Sequence, residues 1–452
     1  MAANGETQIS ERLFTGTDLR KLIFPLIIEQ VLAVSVGMID TVMISSLGES
    51  SVSGVSLVDM INVLIIYLLS ALATGGAVVA SQFMGAKREK DACKSAVQLL
   101  AVMLLFSGFI MGFSLILNRR ILRLFFGAIE PEVMTAAVTY FRISAISYPF
   151  IGLYNCCAAL FRSMGNSRVS MLVSGGANLL NVAGNALLIY VFPYGVAGAA
   201  ISTAFSRFVS MAVMLVMLAN KKHPIHISFR ERFRFNGGIV RKILYVGIPN
   251  SLENSLFQLG RLIVVSIIAG FGTVQIAANA VANNIDGLGC IPGQALNLAM
   301  ITVVGQCVGA GDYTQARFYT RKLMKITYLI TAVWDSLIML SLPLTLRLYN
   351  LSKEATELAA VLIIIHQAFA ILLWPTSFTL PNTLRAANDV KYSMIISIFS
   401  MWTFRIVFSY ILGKQFQMGA IGVWIAMVLD WLFRAICFLL RYRGHKWEKH
   451  KI

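Results

Sequence analysis

The sequence predicts an all-α polytopic membrane protein with 12 transmembrane helices in two six-helix lobes related by pseudo-two-fold symmetry. Three observations lead to this prediction. Of the 452 residues, 57% are hydrophobic and 13% are charged, about half the charged share of a soluble domain. Apolar segments long enough to cross a bilayer recur along the whole chain. The two halves of the chain also repeat one another.

The apolar segments are separated by Gly, Pro, Asn or clusters of charge, and these breaks set the expected spans. We expect the spans at residues 20–44, 53–80, 93–117, 133–160, 169–191, 196–219, 240–268, 276–304, 317–345, 355–384, 391–412 and 418–440. The chain then divides into an N-terminal tail (1–19), an N-lobe (20–219), a linker (220–239), a C-lobe (240–440) and a basic C-terminal tail (441–452). Because the number of spans is even, both termini lie on one side.

The basic residues indicate which side that is. They concentrate in the tails, the linker and the connections on the side of the termini, whereas the opposite connections hold few of them. By the positive-inside rule, both termini and the linker are expected in the cytoplasm. We therefore expect a multi-pass protein of the plasma membrane, here a bacterial inner membrane. The same distribution explains the net charge of +17 without a nucleic-acid partner.

An internal repeat relates the two halves. Most matching pairs share one constant offset along the chain, and they are Pro25 with Pro249, Glu29 with Glu253, Gly48 with Gly272, Gly85 with Gly309 and Gly198 with Gly422. The offset slips by one position around the fourth and tenth spans, where Arg162 matches Arg385. Each half has six spans, so the second begins on the same side as the first. Such parallel repeats are related by an axis along the membrane normal, and they predict two bundles around a central cavity.

The first span carries two carboxylates, Glu29 and Asp40. Eleven residues turn a helix by three turns plus about 20°, so both acids lie on one face, roughly 16 Å apart along the axis. A buried charge in hydrocarbon costs at least ~2.5–3.5 kcal/mol, so such residues usually face a bundle interior or a water-filled path. The alternative is a tolerated polar residue paired to a neighbouring helix.

The fifth span carries three amides, Asn178, Asn181 and Asn185, which lie on one helical stripe. A carboxylate with amide and hydroxyl oxygens from neighbouring helices can replace the water around Na⁺. With a proton in place of Na⁺, the amides stabilise either protonation state of the acid. The alternative for the three asparagines alone is hydrogen bonding between helices.

The second half repeats this pattern only in part. Glu253 and Asn254 restate Glu29 and Gln30, but Val264 stands where Asp40 would be repeated. Asp286 and the tenth-span His366 are further polar groups at depth. We expect Glu29, Gln30, Glu253, Asn254, Asp286 and His366 to face the central cavity. For a lone intramembrane histidine, a packed hydrogen-bonding group is the commoner alternative.

No enzyme motif occurs in the sequence, which has no Walker loop, no Gly-x-Ser-x-Gly, no His-Glu-x-x-His and no dinucleotide fingerprint. ATP is therefore not the expected energy source, and no cofactor is expected. The six cysteines include no Cys-x-x-Cys pair, so they imply neither a disulfide framework nor a metal site. An intramembrane enzyme would need paired catalytic groups at one depth, for which Asp40 with His366 is the sole candidate.

The chain resembles the MATE multidrug and toxin extrusion transporters over nearly its full length. The motifs that carry the resemblance are Pro25 with Gly-Met-Ile-Asp40-Thr, Gln82-Phe-Met-Gly85-Ala, Leu160-Phe-Arg162-Ser-Met-Gly165-Asn, Asn181-x-x-x-Asn185, Gly195-Val-Ala-Gly198-Ala-Ala with Thr203, and Leu384-Arg385. The resemblance implies two six-helix lobes and alternating access. It implies secondary active export of cationic or amphipathic drugs or toxins in exchange for Na⁺ or H⁺.

The resemblance also implies a coupling-cation site in the N-lobe. Asp40 would bind Na⁺ or a proton together with Asn181, Asn185 and Thr203, and the Na⁺ ligands would come from Asp40, Asn181 and Asn185. Some members of the family have Asp at the position of Asn185, so here Asp40 is the sole acid of that cluster. In other members a seventh-span Glu works with a tenth-span Asp, whereas this chain has Glu253 and His366.

Two alternatives remain at this point. A flippase for lipid-linked precursors would need a cationic cavity, which Arg142 and Arg261 favour and the acids of the first span oppose. The intramembrane enzyme is the more remote alternative. The expected partners are small molecules and the lipid bilayer, and the protein is expected to act as a monomer.

Overall fold

The computed structural model describes residues 12–127, 130–228, 234–349 and 351–449, and in these ranges the ordered elements are helices. The N-lobe helices are α1 (Gly16–Ser45), α2 (Glu49–Gly85), α3 (Glu89–Phe126), α4 (Pro131–Ile146 and Tyr148–Ser163), α5 (Ser167–Val191) and α6 (Gly195–Leu218). The C-lobe helices are α7 (Gly237–Ala269), α8 (Thr273–Gly289 and Ile291–Gly309), α9 (Tyr313–Arg347), α10 (Lys353–Ala386), α11 (Val390–Gln415) and α12 (Gly419–Arg443).

These helices confirm the predicted fold class. In the described ranges, eleven helices are long and apolar enough to cross a membrane, and α4 supplies the twelfth span as two segments bent by 43°. Most helices extend beyond the predicted spans; α2, for example, was expected at 53–80 and runs from Glu49 to Gly85.

Two of the predicted spans are interrupted. The fourth, expected as one helix over 133–160, breaks at Ser147, and the eighth, expected over 276–304, breaks at Cys290. In each case a proline, Pro149 or Pro292, stands at the start of the following segment. Proline has no backbone N–H and its ring clashes with the preceding turn, which favours a break here, although α1, α7 and α9 continue through Pro25, Pro249 and Pro343.

The internal repeat appears in the backbone as well as in the sequence. Gly48 and Gly272 begin α2 and α8 with φ of 93° and 100°, a region that favours glycine. Gly85 and Gly309, at the other ends of these helices, lie in reciprocal contacts. A Cβ on Gly85 would stand 1.8 Å from the backbone oxygen of Gln306, and one on Gly309 would stand 2.0 Å from that of Gln82. The two helices cross there almost backbone to backbone.

Both ends of the described chain lie on the side of this crossing, which we call the terminal side; the opposite side is the far side. The buried Phe14 packs edge-on against Tyr319 at 5.7 Å between ring centroids. Trp447, in a short 3₁₀ helix after α12, is fully buried and stacks on Tyr442. The even number of spans predicts this common side.

The lobes contact each other in their terminal halves. Gly75 of α2 lies against Gly247 of α7, where a Cβ on Gly75 would stand 2.6 Å from the Gly247 Cα. Further along α7, Asn250 Nδ2 donates to the Ala71 oxygen at 3.1 Å and Ser251 Oγ to the Leu68 oxygen at 3.2 Å. These contacts run from the middle of α2 toward its terminal end.

Candidate functional site

The predicted N-lobe residues meet where α1, α5 and α6 approach one another in the far-side half. Asn185 Nδ2 donates to Asp40 Oδ1 at 2.8 Å. With its amide nitrogen toward Asp40, Asn181 donates to Oδ1 at 2.9 Å and Oδ2 at 3.2 Å, and accepts from Thr203 Oγ1 at 3.1 Å. This amide orientation gives both of its ends a partner. Asp40, Asn181, Asn185 and Thr203 thus form one polar cluster.

Small residues and a change of helical pitch shape this cluster. A Cβ on Gly184 would stand 2.4 Å from Ser202 Oγ, so glycine allows α6 to approach α5 closely. Ser202 Oγ in turn donates to the Asn181 backbone oxygen at 2.8 Å. Directly after Asn185, α5 changes to a π-helical segment, Ala186–Val191. Such segments widen the helix locally and are frequent at functional sites.

The oxygen atoms of the cluster fit a hard cation. Asp40 is half-buried, whereas Asn181 and Asn185 are buried. The buried Asn185 Oδ1 has no hydrogen-bond partner among the described residues. Carboxylate and carbonyl oxygens are the ligands that hard cations prefer. In this arrangement the amide nitrogens face the Asp40 carboxylate, which suits an acid that carries a proton, and Na⁺ binding requires the amides to turn their oxygens toward the ion.

A second acid lies beside Asp40 that sequence reasoning did not assign to the site. Asp59 of α2 is within electrostatic range of Asp40. It accepts hydrogen bonds from Asn62 Nδ2 at 3.2 Å and from the Tyr140 hydroxyl. Arg207 of α6 is within electrostatic range of both acids. Among the described residues, Asp40 is the acid to which both amides donate, and Asp59 is a neighbouring charge on α2.

Asn178 lies apart from this arrangement. Its side-chain nitrogen is buried without a hydrogen-bond partner among the described residues, whereas Asn181 and Asn185 contact Asp40. The stripe of three amides therefore contributes two members to the cluster.

Glu29 and Glu253 occupy matching places and have matching partners. Glu29 accepts from Ser170 Oγ at 2.8 Å and lies 3.8 Å from Arg162 Nη1. Glu253 accepts from Arg385 Nη2 at 2.6 Å. Both acids are buried, and each faces an arginine near the terminal end of its lobe. The predicted equivalence of the two acids thus extends to their counter-charges.

Gln30 and Asn254 directly follow these two acids in the sequence. Gln30 is half-buried. Asn254, its counterpart, is also half-buried and donates to the Asn250 backbone oxygen at 2.8 Å. Asn254 is therefore bound to its own helix.

The other two residues expected at the cavity form a pair in the C-lobe. His366 Nε2 of α10 lies 2.5 Å from Asp286 Oδ1 of α8, and Cys290 Sγ donates to the same oxygen at 3.3 Å. The His366 side chain is 1% exposed and that of Asp286 is 17% exposed. Asp335 of α9, which sequence reasoning left unassigned, is buried nearby and within electrostatic range of both.

In the described residues, up to twelve helices fit membrane spans. They form two repeated lobes, each with polar side chains buried at depth, an arrangement typical of membrane transporters. A family model described as MatE matches the chain twice, over residues 25–187 and 249–411. The second match is displaced from the first by the same offset that relates Pro25 to Pro249 in the internal repeat. The matches cover more than two thirds of the chain, and the protein belongs to the MATE family of transporters.

Relatives and solved structures agree with this assignment. The chain is 28% identical over 456 residues to the uncharacterized transporter YisQ of Bacillus subtilis, covering 97% of this chain and 99% of the relative. It is 27% identical over 446 residues to the probable multidrug resistance protein NorM of Thermotoga maritima, covering 96% and 94%. An outward-facing multidrug resistance MATE transporter matches with a TM-score of 0.89 at 23% identity over 96% of both chains. A MOP superfamily transporter from Pyrococcus furiosus matches with a TM-score of 0.88 at 24% identity over 96% of both chains.

Proposed function

We propose that the protein is a secondary active multidrug efflux antiporter. It exports cationic or amphipathic compounds in exchange for Na⁺ or H⁺ by alternating access between its two lobes. The relatives named as multidrug resistance proteins support the substrate class. The observation that carries the proposal is the Asp40 cluster, in which a half-buried carboxylate accepts hydrogen bonds from the amides of Asn181 and Asn185.

The chemistry of the cluster supplies the coupling. A proton on Asp40 removes the charge that the Asn181 and Asn185 donors stabilise. A Na⁺ ion instead draws the amide oxygens toward the carboxylate. Either event changes the contacts between α1 and α5, and Pro25 gives α1 a point at which it can bend. This repacking favours release of the drug to the far side.

Glu29 and Glu253 have a separate role in this proposal. Together with Gln30, Asn254, Asp286 and His366 they line the drug path, where buried carboxylates attract cationic compounds. The pairing of the two acids with Arg162 and Arg385 means that a cationic drug competes with an arginine for each carboxylate.

Everted membrane vesicles test the coupling site. Drug uptake into vesicles is measured with a proton gradient and a Na⁺ gradient imposed separately, for the wild-type protein and for Asp40→Asn. We expect wild-type uptake with one of the two gradients and its loss in the variant, because the amide carries no exchangeable charge. The control is Glu49→Gln, an exposed acid at the far-side start of α2. Full gradient-driven uptake by Asp40→Asn would refute the role of Asp40.

A flippase for lipid-linked precursors is the second candidate, and one buried cluster favours it. Arg434 binds Asp430 Oδ1 at 2.9 Å, and Arg405 lies 3.8 Å from Asp430 Oδ2. Two guanidinium groups share one carboxylate, which leaves positive charge in the C-lobe for a pyrophosphate. Expression in a drug-sensitive host separates the candidates. Protection against ethidium or fluoroquinolones supports drug export, and its absence together with flipping of a lipid-linked substrate supports the flippase.

The remaining expectations belong to the same proposal. The protein acts as a monomer in the plasma membrane with both termini in the cytoplasm, and it uses no cofactor besides the coupling ion. For the intramembrane enzyme, Asp40 and His366 would have to act together. They belong to different lobes, and each has its own partners, Asn185 and Asp286.

A further inference from the structure

We propose that the C-lobe contains a binding site for a divalent d-block metal ion of the zinc class, with Asp286, Cys290 and His366 as ligands. The site is separate from the Asp40 cluster, which lies in the other lobe and offers oxygen atoms. It also differs from the sequence-based expectation that the cysteines take part in no metal site.

The three ligand atoms already lie close together. Asp286 and Cys290 are four residues apart on α8 and therefore share one helical face, and His366 faces them from α10. One ligand atom from each lies within 4.8 Å of the others. The Cys290 Sγ and Asp286 Oδ1 atoms are 3.3 Å apart. Ligands about 2.0–2.3 Å from a tetrahedral zinc ion need a separation of this order.

The imidazole packs against two indole rings of α12. The His366 ring makes edge-on contacts with Trp424 at 5.7 Å and with Trp431 at 5.0 Å between ring centroids. Its Nε2 atom lies 2.5 Å from Asp286 Oδ1. A ligand whose orientation is already set loses little freedom when a metal binds.

A second observation at the same place is a set of buried polar atoms without partners. Both oxygens of Asp335 and both amide atoms of Gln367 are buried without hydrogen-bond partners among the described residues. Gly289 immediately precedes Cys290. A Cβ there would stand 2.9 Å from both Gln367 amide atoms and 3.3 Å from Asp335 Oδ1. These distances place the unpaired atoms directly beside the Cys290 ligand. Unpaired buried polar groups cost free energy, so a metal ion bound at Cys290 would gain polar neighbours that now have no partner.

The ligand types select the metal. One thiolate, one imidazole and one carboxylate suit Zn²⁺ or Co²⁺, whereas Mg²⁺ and Ca²⁺ prefer oxygen alone. Binding releases the thiol proton of Cys290. The resulting thiolate and carboxylate balance the two charges of the ion. The 17% exposure of the Asp286 side chain provides the access route.

Cobalt is the probe for the test. The purified full-length protein in nanodiscs is titrated with Co²⁺. Absorption in the near-ultraviolet reports charge transfer from a thiolate to cobalt, and the visible bands report the coordination number of the ion. We expect both signals in the wild-type protein, and we expect added Zn²⁺ to remove them by competing with Co²⁺ for the site. We expect Cys290→Ser to lose the charge-transfer band and His366→Gln to lose Co²⁺ binding.

Matched variants complete the test. Cys437→Ser removes another half-buried thiol of the C-lobe and leaves the band intact. Asp335→Asn removes a carboxylate within electrostatic range of Asp286 and His366. We expect it to weaken Co²⁺ affinity by about 10–100-fold, the range found when residues around metal ligands are changed. Absence of a charge-transfer band in the wild-type protein would overturn the proposal, and so would its persistence in Cys290→Ser. Because the readout is spectroscopic, it does not depend on drug transport.

Discussion

Alanine in place of Gly85 puts a methyl group into the tightest contact between the repeats. Its Cβ would stand 1.8 Å from the Gln306 backbone oxygen, whereas real Cβ contacts are essentially never shorter than 3.0 Å. The two backbones therefore have to separate until this distance reaches the range of real contacts. Because the Gln306 oxygen belongs to the backbone, rotation of a side chain cannot relieve the clash. The substitution opposes closure of the lobes on the terminal side.

The free-energy cost of this substitution can be taken from proteins in which a methyl group was added to a packed contact. Inserting a methyl into a well-packed contact costs about 1–3 kcal/mol, which corresponds to about a 5–150-fold change in the equilibrium between two conformations. The substitution acts on the state in which the helices touch and spares the opposite state. We therefore expect the population to shift by this factor away from the conformation described above.

Distance measurements between spin labels on the far side test this expectation. Glu49→Cys and Thr273→Cys place labels on exposed, repeat-related residues at the starts of α2 and α8, in a background without the half-buried cysteines. Opening of the terminal side brings the far-side ends together. Gly85→Ala should thus add a shorter distance to the distribution, and Gly309→Ala, the mirror substitution, should do the same.

The control is Gly112→Ala in α3, where nothing lies within 4 Å of the added Cβ. That variant should keep the wild-type distribution and gain slightly in helix stability. If folded Gly85→Ala and Gly112→Ala proteins gave the same distance distribution, the reasoning that the glycine crossing sets the closed state would be wrong.

Two further predictions concern stability. Arg385→Ala leaves the buried Glu253 carboxylate without its partner at 2.6 Å and should lower the free energy of unfolding by about 3–5 kcal/mol. Adding Glu253→Gln should restore most of this stability, as measured by thermal unfolding in detergent. If the second substitution restores nothing, the cause is not electrostatic. Trp447→Ala removes a fully buried indole and should lower the local stability around it by about 3–5 kcal/mol. Hydrogen exchange of the C-terminal residues should therefore become faster. Unchanged exchange would show that the indole does not stabilise the C-terminal segment.

The spans and the repeat were predictable because both are signals carried along the chain. Hydropathy marks a bilayer-long segment without reference to its neighbours, and the constant offset between the halves links Gly48 to Gly272 before any contact is known. The breaks within α4 and α8 also had a signal, since Pro149 and Pro292 stand inside the expected spans. Proline alone does not locate such breaks, however, because Pro25, Pro249 and Pro343 lie inside continuous helices.

The side-chain clusters were predictable only in part. In a membrane, both the lipid-facing and the buried face of a helix are apolar, so periodicity does not tell which way a polar residue points. Asp40 and Asn185 were linked through a family resemblance. Asp59, which lies beside Asp40, and the group of Asp335 with Gln367 had no such link, because each depends on how separate helices are rotated against one another.

The reciprocal glycine contacts have a consequence for how such a chain can vary. Gly85 meets Gln306, and Gly309 meets Gln82, which is the geometry of an isologous dimer, where one surface is complementary to itself. In a dimer of identical halves, every substitution appears twice, and an acid gained on one side is gained on the other. Fusion into one chain frees the halves to diverge while the shared surface still fits. Asp40 facing amides in one lobe, with Val264 at the same position of the other, is an asymmetry that a symmetric pair of identical halves cannot encode.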